Sequence, residues 1–194
     1  KTFQTIGGMP EVVAAWLRNQ DMEEAERIQD AILTSYELDF ARYAPPSDFP
    51  KLGLIWRSIP AQLSRENGKF MFGHAKSGAR AKDLEDALHW ITDAGLAYRV
   101  GRVEKPAVPL AAYLDQRAFK LYLSDIGLLR RLAGVPPSLL FDPSPLYAEF
   151  KGAMAENFVL NELMGFLGTT PQYWTSGNQA EVDFLFQYRN GIIP

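Results

Sequence analysis

The apolar residues of this chain change their spacing at Gly95, and that switch limits what the chain can fold into. Upstream, Ala25, Ile28, Ile32, Tyr36 and Phe40 recur at three- or four-residue steps. That spacing lines one face of an α-helix. Leu84, Ala87, Leu88 and Ile91 repeat it over residues 80–94, with Gly95 placed as the C-terminal stop. Downstream, residues 96–103 alternate, the period of a half-buried strand, with Arg99 toward solvent. Helices grouped first and strands grouped later predict an α+β protein that is mainly α.

Punctuation fills in the order. Pro10 suits the first turn of a helix over 11–19, which carries Val12, Val13, Trp16 and Leu17. Asp21 is placed to cap the next helix, with Glu24 completing a box-like start. The prolines of residues 44–50 break the pattern, and a shorter helix over 51–63 follows with Leu52, Ile55, Trp56 and Ile59 on one side. Pro60 is expected to kink or end it. Residues 69–72 read as a short strand and 74–79 as a glycine-containing loop. Residues 119–123 read as the strand returning from 96–103, with Ser124 capping a short helix after it. Helix, helix, helix and a two-stranded hairpin is the order of a winged helix-turn-helix. Pro136-Pro137 and Pro143 to Pro145 mark a boundary, giving three regions: a helical 1–48, a winged-helix 49–135 and a C-terminal 145–194.

The last region carries the acids. A helix over 152–163 holds Glu156, and a strand over 180–188 holds Glu181 and Asp183, two apart and so on one face. Asn190-Gly191 favours a tight turn into a further strand. A helix acid, a strand acid and a next strand bearing more ligands is the layout of a magnesium nuclease core. The residues end at Pro194 before that strand delivers any, and they begin without methionine, so the chain is expected to be part of a longer protein.

Composition excludes several chemistries. With no cysteine there is no disulfide, thiolate zinc site or cysteine nucleophile, which suits a cytoplasmic protein. No apolar run approaches the roughly 18 residues of a membrane helix. His74 and His89 have no partner at metal-ligand spacing, and Trp16, Trp56, Trp90 and Trp174 sit in helix or strand patterns that place them in the core. Charge is uneven. Residues 1–50 hold four basic and nine acidic side chains, 51–82 hold seven basic against Glu66 alone, and 83–194 hold nine against thirteen. The basic stretch is a candidate phosphate footprint. Arg80 and Lys82 open the candidate recognition helix, Lys69 and Lys76 precede it, and Arg99 and Arg102 lie on the wing, although Asp83, Glu85 and Asp86 dilute the same helix. The same stretch would equally serve as a face docked on an acidic neighbour.

Four segments occur in order: Gly7-Gly8-Met9-Pro10-Glu11-Val12-Val13, Lys76-Ser77-Gly78-Ala79-Arg80-Ala81-Lys82, Phe119-Lys120-Leu121-Tyr122-Leu123-Ser124-Asp125-Ile126-Gly127-Leu128-Leu129 and Glu181-Val182-Asp183-Phe184. Together they resemble the C-terminal half of prokaryotic AAA-type ATPases that carry a domain of unknown function after the ATPase module. The resemblance implies an upstream ATPase domain in the same chain. No Gly-x-x-x-x-Gly-Lys-Ser/Thr occurs in these residues, so ATP is expected to bind elsewhere in the longer protein. It also implies a winged-helix middle and an end similar to a truncated PD-(D/E)xK, restriction-endonuclease-like domain. There Asp183 matches the strand acid and Glu156 the helix acid, as an incomplete catalytic and magnesium-binding set whose Glu-x-Lys would lie beyond Pro194. The expectation is an accessory region that binds double-stranded DNA through Lys69, Lys76, Arg80, Lys82, Arg99 and Arg102, inactive by itself and without a bound cofactor. The alternatives are an architectural module that docks its own ATPase domain or further copies, or a magnesium-dependent nuclease in the full-length protein only.

Overall fold

Helix α4 (Phe49–Leu63) lies at the centre, with Leu52, Ile55, Trp56 and Ile59 all buried. The computed structural model describes residues 2–65, 68–142, 144, 147–177 and 180–194. The boundary prolines Pro143 and Pro145, and Glu66 of the basic stretch, lie outside the described residues. Helices α1 (Thr2–Ile6), α2 (Pro10–Asn19) and α3 (Met22–Tyr43) precede α4, and α5 (Phe72–Ala75) and α6 (Ala81–Asp93) follow it. Strands β1 (Ala97–Val103) and β2 (Leu114–Leu123), then α7 (Ile126–Leu132), α8 (Ala148–Leu167), β3 (Gln172–Thr175), β4 (Glu181–Tyr188) and β5 (Gly191–Ile193) complete the chain. The protein is α+β and mostly helical, with a mixed sheet ordered β2-β1-β3-β4-β5. Among the described residues no helix is long and apolar enough to cross a membrane.

The alternation expected over 96–103 is not kept, since β1 buries Ala97, Val100 and Val103, three apart, and residues 118–123 of β2 are buried throughout. β1 and β2 pair antiparallel from Ala97↔Leu123 to Gly101↔Phe119, then slip between Gly101 and Arg102 so that Arg102 meets Asp115. β1 runs parallel to β3 over Arg102↔Tyr173 and Val103↔Trp174, and β3, β4 and β5 pair antiparallel. The largest buried cluster spans helices and strands from both halves of the chain, with smaller clusters around Ile6, Val12 and Ala25 and around Val103, Leu110 and Leu185. Phe40 of α3, Trp56 of α4 and Leu88 of α6 belong to the same cluster as Val100, Leu121, Met154, Tyr173 and Phe184. The regions read as 49–135 and 145–194 therefore share a sheet and a core.

Several local expectations shift, each for a physical reason. α4 runs through Pro60, which lies buried near its end, so the missing N–H removes only one late helical bond. Residues 69–72 contribute only a single bridge, Lys69↔Lys120, and the Phe70 N–H to the Phe119 carbonyl (2.8 Å). The Met71 N–H then goes to Gln62 Oε1 (2.6 Å), and Phe72 starts α5 instead of extending a strand. Asp21 caps α3 as expected, but the Glu24 carboxylate accepts from Asn19 Nδ2. The cap of α7 is Asp125, one residue beyond Ser124. The terminal turn is centred on Arg189-Asn190, with Arg189 at φ +53, and Gly191 pairs with Tyr188 as the first residue of β5.

Candidate functional site

Two side chains of β2, Lys120 and Tyr122, point to the same side of the strand and into the α8–β4 region, because residues two apart share a face. α8 is fixed there by Asn157, wholly buried. Its Oδ1 accepts from the Leu123 N–H (2.9 Å) and its Nδ2 donates to the Leu123 carbonyl (3.0 Å), so it satisfies the backbone at the end of β2. Asn161 donates to the same carbonyl at 3.0 Å. This clamp sets the neighbouring Glu156 against β2.

Glu156, Glu181 and Asp183 thus converge on one group, the ammonium of Lys120. Its Nζ lies 3.1 Å from Glu156 Oε2, 2.9 Å from Glu181 Oε1 and 3.5 Å from Asp183 Oδ1. The lysine side chain is only 2% exposed, whereas Asp183 is about half exposed. The Tyr122 hydroxyl donates to Glu156 Oε2 at 2.7 Å, and the Tyr173 ring lies 5.4 Å from Nζ, within cation–π range. Burial alone would push the Lys120 ammonium down, but the carboxylates override it and hold the group above the usual lysine value. Burial, helped by the Glu156 charge, keeps Tyr122 protonated far above an ordinary phenol.

The strand acid and helix acid expected from the sequence are therefore brought together, with Glu181 joining them. The magnesium expected with them does not fit this donor set. Mg²⁺ requires oxygens at about 2.1 Å in octahedral array. Here the carboxylates stand at ammonium distances around an interior cation, and among the described residues no group of three His, Cys, Asp or Glu is arranged to hold a metal. Lys120 escaped the sequence reading. The signal was present, since lysine inside the otherwise apolar run 119–123 is almost never buried unless paired.

The basic residues divide between two hollows. Lys76 and Lys82 line a cavity of about 580 Å³ at the N-terminus of α6, with Lys51, Ser77, Gly78 and the acid Asp83. Lys51 is already paired to Asp48 at 2.7 Å, while Lys76 and Lys82 have no ion-pair partner among the described residues. Arg80 is the N-cap of α6, its N–H donating to Asp83 Oδ2 at 2.8 Å. Asp83 thereby serves the helix start and does not simply oppose phosphate. Lys69 and Arg99 line a second cavity of about 350 Å³ with Arg117 and Glu85. Arg99 also stacks 4.2 Å over Phe119. Arg102 belongs to neither hollow, because it is held by Asp115 at 2.6 Å. His74 lies in α5 with Nε2 3.1 Å from Arg65 Nη1.

A further polar cluster joins the first and third family-like segments. Buried Asp125 accepts the Gly8 N–H on Oδ2 (2.6 Å) and the Leu128 N–H on Oδ1 (2.8 Å). Burial raises its carboxyl above the ordinary aspartate value, against the pull of these hydrogen bonds. Wholly buried Arg130 donates to Glu26, to Gln29 Oε1 and to the carbonyls of Thr5 and Val135. These contacts bind α1, α3 and α7 into one piece.

Comparison with known proteins adds family relationships without an activity. A family profile described as Domain of unknown function (DUF8612) matches residues 1–139, and one described as Domain of unknown function (DUF4143) matches residues 151–194. The uncharacterized protein Rv2008c of Mycobacterium tuberculosis and the uncharacterized protein Mb2031c of Mycobacterium bovis are each 38% identical over 74 residues. That stretch is 38% of this chain and 16% of either relative, so the chain matches only a small part of proteins much longer than itself. No solved structure matches.

Proposed function

We propose, for a chain that belongs to the DUF8612 family of domains of unknown function, that it is a DNA-binding winged-helix module joined to a nuclease-like end and accessory to a cytoplasmic AAA-type ATPase. The observation that carries this reading is the start of α6. A helix of 13 residues directs its positive end toward a hollow lined by Lys76 and Lys82, and both lysines lack ion-pair partners among the described residues. Backbone N–H groups, the helix dipole and flexible ammonium groups together suit a phosphate of double-stranded DNA. The helix order α4, α5, α6 and the β1–β2 hairpin supports the winged-helix assignment. The DUF4143 segment supports the ATPase connection, since that domain commonly occurs with AAA ATPases. On this reading ATP binds in an upstream domain of the longer protein.

The test is the salt dependence of duplex binding by fluorescence anisotropy. Contacts to phosphate give a linear fall of log affinity with log salt, with a slope of about −0.9 per phosphate engaged. The double substitution Lys76→Ala and Lys82→Ala is expected to weaken binding to all sequences alike and to reduce the slope by about two. An unchanged slope in the folded variant would remove α6 from the interface.

A docking role has one observation in its favour. Part of the acidic–basic asymmetry is already spent inside the molecule, with Asp48 on Lys51 and Glu37 on Arg57 at 3.4 Å. A folded wild-type protein that binds no duplex even at low salt would favour that role, with the ATPase domain or a second copy as the partner.

A further inference from the structure

The carboxylates of the acid cluster come from α8 and β4, within the residues matched by DUF4143, while the cation among them comes from β2, within the residues matched by DUF8612. The cation is enclosed. Its stem runs close under Gly68, where a Cβ would lie 3.4 Å from Lys120 Cδ and Cε, and Tyr173 covers the head. The acids are open on their outer side, Glu156 and Glu181 by about a third. A buried ammonium that is not withdrawn from such acids repels any second cation brought to them.

We propose that Lys120 is the resident cation of the Glu156–Glu181–Asp183 cluster, donated by one family segment to the acids of the other, and that it excludes divalent metal from them. The contact is autoinhibitory for any metal chemistry at this place. A divalent ion enters only when the Lys120 head leaves the cluster, which requires β2 to part from α8 at the Asn157 and Asn161 clamp on Leu123. Residues that line the second basic hollow, Gln116, Arg117 and Phe119, sit on the same strand just upstream of Lys120. A ligand pulling on that end of β2 would therefore act on the lysine as well. The proposal rests on the acid cluster alone and not on the DNA-binding reading.

The test is Mn²⁺ uptake by the 194-residue chain, read by the loss of free-ion signal in electron paramagnetic resonance. Wild type is expected to show no saturable uptake at millimolar Mn²⁺. Lys120→Met is expected to bind one Mn²⁺ at least about tenfold more tightly than wild type, and adding Asp183→Asn to that variant should abolish the gain. Lys120→Arg, which keeps the charge, should behave as wild type. Saturable wild-type uptake that disappears with Asp183→Asn overturns the proposal, as does a folded Lys120→Met chain that takes up no Mn²⁺. Should Lys120→Met not fold, Lys120→Gln replaces it under the same outcomes, and Mn²⁺-dependent recovery of the fold in either variant supports the proposal. Because the readout is metal uptake, a failure to bind DNA leaves this result standing, and the reverse also holds.

Discussion

Gly7 shows how one residue can be required by two independent constraints. Its φ is +74, a left-handed conformation that costs most side chains energy, and a Cβ placed there would clash with the Asp125 carboxylate. Relief by moving Asp125 would break its bonds to Gly8 and Leu128. Gly7→Ala is therefore expected to lower unfolding free energy by about 2 kcal/mol or more, checked by urea denaturation. Gly78→Ala is the control. It shares a φ of +76 but has nothing within 4 Å, so only the backbone term applies. Lys120 belongs at this scale too. Its apolar neighbours in 119–123 signal the burial, but only the fold supplies the carboxylates that make it tolerable.

At the scale of elements, α7 is short for the weight it carries. Seven residues cannot hold a helix by propensity, so its position depends on what it buries and bonds. Asp125 fixes its start, and Arg130 satisfies groups on α1, α3 and the chain beyond α7. Removing Arg130 would take a donor from the carbonyl of Val135 and from the amide oxygen of Gln29 inside the protein, and leave the Thr5 carbonyl with one donor fewer. Arg130→Met is expected to cost about 3 kcal/mol, seen as a lower urea midpoint with an unchanged slope. The half-buried neighbour Arg131 offers the contrast, since its bidentate pair with Asp30 lies nearer the surface, where water screens it, and its loss leaves no enclosed group without a donor.

For the whole molecule, the two family-matched segments are one folding unit. β1 carries β3 as its parallel neighbour, Leu123 is satisfied by Asn157, and Met154, Leu160, Tyr173 and Phe184 complete a core begun by Trp56 and Leu88. A piece the size of residues 151–194 buries too little surface to fold alone. Expressed separately, it is expected to show an unfolded circular dichroism spectrum, and residues 1–139 a lowered melting temperature. Co-expression should recover a single complex on gel filtration. Independent folding of the two pieces would contradict the shared core.

The sequence by itself determined helices α2, α3, α4, α6, α7 and α8, their order and the hairpin, because apolar period, proline and cap residues act over a few neighbours. It also marked Glu156 and Asp183 as acids of one region, and Lys76 and Lys82 as a basic pair near a helix start. Tertiary structure alone decided the rest. Phe72 enters a helix because Gln62 and Phe119 claim the residues before it, and Arg102 leaves the basic face because a register slip brings it to Asp115. Lys120 meets three carboxylates 36 to 63 positions further along the chain. Such pairings depend on which strand lies beside which, and a buried charge is placed by its partners across the fold, not by its neighbours along the chain.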